Sequence, residues 1–177
     1  IAGLGAGVLG TLFTFSVNYV TQLRVNHPWL IYFLPIGGIV IVLLYKLAKY
    51  KDAGTDLVIN SIHSELHLPV RIGPLIFISS VITHLFGGSA GREGAALQIG
   101  GSVGSFISKT LRLKEEDKKT LIMAGMSGCF SALFGTPLTA AILPLEVVHV
   151  GYMQYAALLP CAIASLVGHS VAIAMNL

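Results

Sequence analysis

Long charge-free stretches constrain this chain more than any motif in it. No Asp, Glu, Lys or Arg occurs between Ile1 and Leu23, Val25 and Tyr45, Ile72 and Gly91, Thr120 and Leu145, or Val147 and Leu177. A lipid-spanning helix needs about 20 mostly apolar residues and tolerates almost no charge. Repeated intervals of this kind lead us to expect an all-α fold: a polytopic membrane bundle, forming a single membrane domain over residues 1–177. Composition agrees, because only 11% of the 177 residues are charged, against roughly 25% in soluble domains.

Interruptions place the helices. The first is expected from about Ala2 to Gln22, with "RVNHP" turning the chain, and the second from about Trp29 to Lys49. "TDLVINSIHSEL", 55 to 66, is too short and too polar to span, and reads as a re-entrant half-helix or an interfacial amphipathic one. A third helix is expected over 72 to 86, and a fourth from Glu93 to the charged "LRLKEEDKK", read as a solvated loop. A fifth covers about Lys118 to Leu133, a sixth opens at Pro137, and a seventh runs from about Met153 to Ala174. Pro suits a first helical turn, where its missing N–H has no acceptor to lose.

Basic residues orient the bundle. If the half-helix enters and leaves on one side, then Lys46, Lys49, Lys51, Arg71, Lys109, Arg112, Lys114, Lys118 and Lys119 share that side, which should be cytoplasmic. Arg24 falls opposite. Gly3 with Gly7, and Gly100 with Gly104, have the spacing that lets helix backbones approach closely in lipid.

The exception to the apolar pattern is "GGSAGREGAALQIGG", 87 to 101, which sets Arg92 beside Glu93. A carboxylate at membrane depth costs roughly 2.5–3.5 kcal/mol on insertion scales, so such a residue has a use. The Gly and Ala residues before it favour an unwound turn, and those after it a helix, which puts Glu93 at a helix N-terminus. Amides and partial positive charge there hold a small anion, or the carboxylate in its place. The alternative is an Arg92–Glu93 pair that closes a turn. "DAGTDLV", 52 to 58, offers a second helix start capped by Thr55 or Asp56. Two broken helices aimed at one midplane point is how many transporters meet anionic groups.

Other polar residues point nowhere else. His63 and His67 stand at i and i+4 without a third metal ligand. His84, His149 and His169 lie on apolar helices, where a bond to a neighbouring helix is expected, and Cys129 and Cys161 read as small buried hydrophobes. There is no nucleophile and base pair and no phosphate loop. We therefore expect no enzyme, metal or cofactor, and no nucleic-acid partner.

"GREGAALQIGGSVG", followed by "RLKEEDKKTLIMAGMSGCFSALFGTPLTAAILPLE", resembles the CLC family of chloride channels and anion/proton antiporters, whose signature includes G-[KR]-E-G-P. The likeness runs from about Gly87 to Glu146. It implies the first inverted repeat of a CLC-type fold, with tilted, broken and re-entrant helices, and transport of chloride or fluoride by a channel or a proton antiporter. It further implies that Glu93 is the gating and proton-carrying residue, and that Ala53, Gly54, Thr55, Gly91, Arg92, Gly94 and Ala95 surround the anion. Glu146 would lie at an inner rim. The implied partners are a halide, protons, the lipid bilayer and a second copy in a homodimer, in a bacterial plasma membrane.

Departures from the family pattern carry information too. Aligning Gly54 with the second Gly of the family's G-S-G-I-P segment puts Ala53 where a Ser hydroxyl contacts the anion, and Asp56 where the Pro belongs. Val147 stands where chloride/proton exchangers carry an inner glutamate, and Ala95 replaces the motif Pro. These changes are similar to the fluoride-exporting branch, and the missing inner glutamate fits an uncoupled channel equally well. Because family members contain two repeats, the chain is expected to be a fragment or half-domain that lacks the second. The competing readings are an unrelated transporter of a small anionic organic solute, and a membrane-embedded enzyme or structural subunit. Residues 1–23 do not read as a cleaved secretory signal, since they lack a basic start and further apolar segments follow.

Overall fold

A computed structural model describes residues 1–48, 70–148 and 154–177. The expected half-helix at 55 to 66, with Ala53, Gly54 and Thr55, lies outside these residues, as do His63, His67 and His149. Among the described residues the structure is helical throughout: α1 (Ala2–Asn26), a 3-10 helix (Pro28–Phe33), α2 (Leu34–Leu47), α3 (Ile72–Leu85), α4 (Arg92–Thr110), α5 (Glu115–Phe134), α6 (Pro137–Val148) and α7 (Tyr155–Ala174). Three stretches, Ala2–Asn26, Pro28–Leu47 and Tyr155–Ala174, are long and apolar enough to cross a membrane. The 14 residues of α3 reach only about 21 Å at 1.5 Å per residue, short of a ~30 Å hydrocarbon core.

The structure differs from expectation at two boundaries and in one side-chain contact, each for a local reason. "RVN" does not turn the chain; α1 continues to Asn26, and the 3-10 turn then opens on Pro28, which cannot donate to the preceding helix. The charged run before Lys118 is not all loop: Glu115, Glu116 and Asp117 form the first turn of α5, where acidic side chains oppose the positive end of the helix dipole. Lys118 is consequently a buried residue, its ammonium 3.2 Å from Glu115. His84 bonds its own helix, its Nδ1 donating to the Ser80 carbonyl oxygen at 2.8 Å, because that acceptor lies one turn back on the same face.

Helices α4 and α5 form the centre. Ala95 to Ser102 of α4 and Ile122 to Ala132 of α5 are continuously buried, although glycines, serines and alanines dominate both stretches. Burial gives no hydrophobic drive between helices in lipid, so close backbone approach supplies the attraction instead. The glycines show how close it is. A methyl group placed on Gly104 would lie 2.6 Å from Ile122 Cα, and one on Gly100 2.7 Å from Cys129 Cβ. The pattern repeats where α1, α5 and α7 cross. A Gly3 methyl would sit 2.7 Å from Ala164 Cα, a Gly7 methyl 2.9 Å from Gly168 Cα, and a Gly128 methyl 2.9 Å from Gly3 Cα. The small-residue spacing in the sequence therefore marks helix crossings.

Hydroxyls in these helices turn inward on their own backbone. Thr11 donates to Gly7 O at 2.9 Å, Thr14 to Gly10 O at 3.0 Å, and Ser102 to Gln98 O at 2.9 Å, so burial leaves those groups satisfied. Larger apolar residues fill the remaining space, with Phe13 fully buried and edge-on to Phe77 at 5.3 Å.

Candidate functional site

The motif that breaks the apolar pattern also breaks the helices. α3 ends at Leu85 and α4 begins at Arg92, leaving a non-helical link between two apolar helices. The α3 end is a complete Schellman motif. Gly88 donates to Thr83 O at 2.8 Å and Gly87 to His84 O at 3.3 Å, with Gly87 at φ +83°. That left-handed conformation is one a side chain resists and glycine adopts freely.

Beyond it, Gly91 is the N-cap of α4 in extended conformation, at φ −66° and ψ 132°. A Cβ built on Gly91 would meet nothing within 4 Å, so the helix start opens onto free space. No side chain caps it, and the amides of the first turn have no acceptor within the helix. Glu93 sits in this first turn and is exposed, while Arg92 and Gly94 are half-buried. By the helical pattern the Ala95 amide is the first to find an acceptor, the Gly91 carbonyl, and the Ala95 side chain packs in the core at 5% exposure. The donors of this segment without a helical acceptor are therefore the amides of residues 91 to 94.

Arg92 and Glu93 do not pair. Lys118 and Glu115 do form an ion pair, at the far end of α4. An unpaired carboxylate beside uncapped amides can either bind that helix end or swing away from it, which is the chemistry of a blocking group that an anion displaces.

Elements distant in sequence hold this turn in place. Leu34 and Thr83 crowd Gly88, Phe86 packs on Gly37, and the Arg24 and Ile31 side chains lie over Gly87. The end of α1, the 3-10 helix and the start of α2 thus form one clasp over the link that precedes Glu93. Sequence reading missed this clasp; its one visible signal is Arg24, a basic residue on the side opposite the others. Lys46, Arg71, Lys109, Arg112, Lys114, Lys118 and Lys119 lie at the α2 end, the α3 start and the α4–α5 connection, which the antiparallel run of these helices gathers at the other face. Glu146 is exposed in the last turn of α6, and Val147 beside it is half-buried. Because α6 starts beside the α5 end, on the Glu93 side, both lie toward the basic face.

Comparison with known proteins extends this picture. The sequence model described as voltage gated chloride channel matches residues 36–176. A protein of Pseudomonas syringae pv. tomato named "Chloride/fluoride channel protein" is 42% identical over 173 residues, which make up 97% of this chain and 38% of that protein. The crystal structure of a CLC-type fluoride/proton antiporter superposes with TM-score 0.93 at 35% identity, covering 99% of this chain and 45% of that one. A slow cyanobacterial Cl−/H+ antiporter shares the fold, with TM-score 0.76 at 23% identity over 97% of this chain and 44% of its own. The chain spans less than half the length of each.

Proposed function

We propose, from the premise that this chain belongs to the voltage gated chloride channel family, that it forms the first half of a halide pathway gated by Glu93. One observation carries the reading: an exposed, unpaired carboxylate in the first turn of a helix whose start is uncapped and open, reached through a glycine-rich break between apolar helices. Such a helix end attracts a halide and the carboxylate alike. Protonation of Glu93 removes its claim on the amides, so anion entry and proton uptake are coupled at this residue.

The likeness to a channel named for chloride and fluoride, and to a fluoride/proton antiporter, supports chloride or fluoride as the anion and Glu93 as the proton carrier. Gly91, Arg92 and Gly94 would present their amides to the halide, with Ala53, Gly54 and Thr55 as further anion-binding residues and Glu146 at the inner rim. The working unit in this reading is a homodimer in a bacterial plasma membrane, each subunit completed by a second repeat, with no enzymatic activity.

The test is halide efflux from liposomes that contain the full-length protein, read with fluoride- and chloride-selective electrodes. Wild-type protein should release at least one halide at a rate that depends on pH, and Glu93→Gln should change the rate and flatten that dependence. A monodisperse Glu93→Gln protein with wild-type rate and pH profile would refute the gate. Coupling is tested separately by an imposed pH gradient, which should drive halide uptake.

A further inference from the structure

Arg24 is the one basic residue of the clasp over the Gly87 turn. It stands in the last turn of α1 and is half-buried. A Cβ built on Gly87 would lie 3.4 Å from both Arg24 Cδ and Arg24 Nη1, so the guanidinium as well as its stem rests against this turn. Its head group makes no ion pair with any described residue, the Lys118–Glu115 pair being at the opposite face.

The turn leads directly to the proposed anion site. Three residues separate Gly87 from the N-cap Gly91, a path of four Cα–Cα steps and at most about 14 Å. The guanidinium therefore lies within about 20 Å of the uncapped amides, inside the ~30 Å screening length of a 0.01 M salt solution. Glu93 is the carboxylate at this end among the described residues; the other described acids, Glu115, Glu116, Asp117 and Glu146, are placed at the α5 start and the α6 end. Arg24 and Arg92 thus outnumber the acid, and a half-buried charge keeps more of its field than a solvated one.

We propose that Arg24 is a steering residue for the incoming halide: a fixed positive charge that concentrates anions at the outer mouth ahead of the α4 N-terminus. The inference rests on the halide reading above. It adds to that reading a residue 69 positions before the gate, with a role in anion collection rather than in gating. An arginine retained only to pack its stem over Gly87 would serve the turn through its methylenes and would not sense salt.

The experiment measures initial halide flux through the full-length protein in liposomes at low and high ionic strength, for wild type, Arg24→Lys, Arg24→Gln and Arg24→Glu. Steering requires Arg24→Gln to lower the low-salt rate by about two- to tenfold, Arg24→Glu to lower it further, and Arg24→Lys to retain most of it. All differences should shrink at high salt, where a surface field is screened. Equal losses for Lys, Gln and Glu at both ionic strengths would reassign Arg24 to packing and overturn the proposal, as would a wild-type rate in Arg24→Gln at low salt. Each of those outcomes leaves the gate reading intact. A wild-type protein that carries no halide would overturn both.

Discussion

Replacing Gly104 by Ala tests whether glycine contact, rather than apolar bulk, holds α4 in place. The added methyl would sit 2.6 Å from Ile122 Cα, whereas carbon atoms pack best at about 3.5–4.0 Å, so α4 and α5 must part by about 1 Å. The obstacle is backbone and cannot rotate away, which puts the cost near the upper end of overpacking, ~3 kcal/mol. Alanine returns about 1 kcal/mol through its better helix propensity. A net loss of about 2 kcal/mol remains, roughly a 30-fold shift toward unfolding. Gly38→Ala is the control: nothing lies within 4 Å of its Cβ position, so only the propensity gain of up to about 1 kcal/mol applies. Cys129 and Cys161 are free and fully buried, so a dye that fluoresces on reaction with thiols reports opening of this core during a thermal ramp in detergent. Gly104→Ala should melt well below wild type and Gly38→Ala at or above it. A Gly104→Ala protein as stable as wild type would show that the helices are not in backbone contact and would remove the reason given for the buried glycines.

Helix ends and the buried cation give further tests by the same melt. Gly135 caps α5 at φ +67°, and Gly135→Ala should cost about 1 kcal/mol, the price of a side chain in the left-handed region. Arg112 occupies the same kind of position after α4 at φ 52°, with Leu113 donating to Ser108 O at 3.1 Å, so Arg112→Gly should be neutral or stabilising by up to about 1 kcal/mol. The two substitutions are opposite in sign, and agreement in sign would defeat the cap assignment. Lys118 is buried while its partner Glu115 is half-exposed, the side chains being 8% and 57% accessible. Lys118→Met should therefore cost less than about 1 kcal/mol, and Glu115→Gln, which strands a buried ammonium, about 1–2 kcal/mol after allowing for solvent at the carboxylate. The reverse order would place the ammonium in water.

What could be read from the sequence was set by how local each determinant is. The break before Glu93 was legible because glycine chemistry and a single carboxylate lie within fifteen residues, and the structure starts α4 one residue from the expected position. The Gly100 and Gly104 spacing was legible as a crossing, though not its partner, since nothing in α4 says that Ile122 and Cys129 will face it. The α5 start was misread because "KEEDKK" satisfies a loop's demand for charge and a helix's demand for acidic first-turn residues equally well. Only the depth of Lys118, a tertiary property, separates the two. The clasp of Arg24, Ile31, Leu34 and Gly37 over the turn was invisible for a stronger reason, because it joins residues about 50 to 60 positions apart through shape alone.

These features converge on one mechanical requirement. A helix N-terminus that holds an anion must stay uncapped, and an uncapped end frays unless the rest of the helix is fixed by other contacts. In α4 the two demands are separated along the helix: Gly91 and Glu93 are exposed and Arg92 and Gly94 half-buried, and from Ala95 onward the helix is buried against α5 through glycines. The transition from exposed to buried takes less than one turn. A carboxylate placed any later would be in the core, where its desolvation would not be met, and one placed any earlier would precede the first-turn amides. Glu93 stands in the interval that satisfies both limits, so moving the acid to residue 96 by the double change Glu93→Ala and Ala96→Glu should abolish folding, because Ala96 is fully buried.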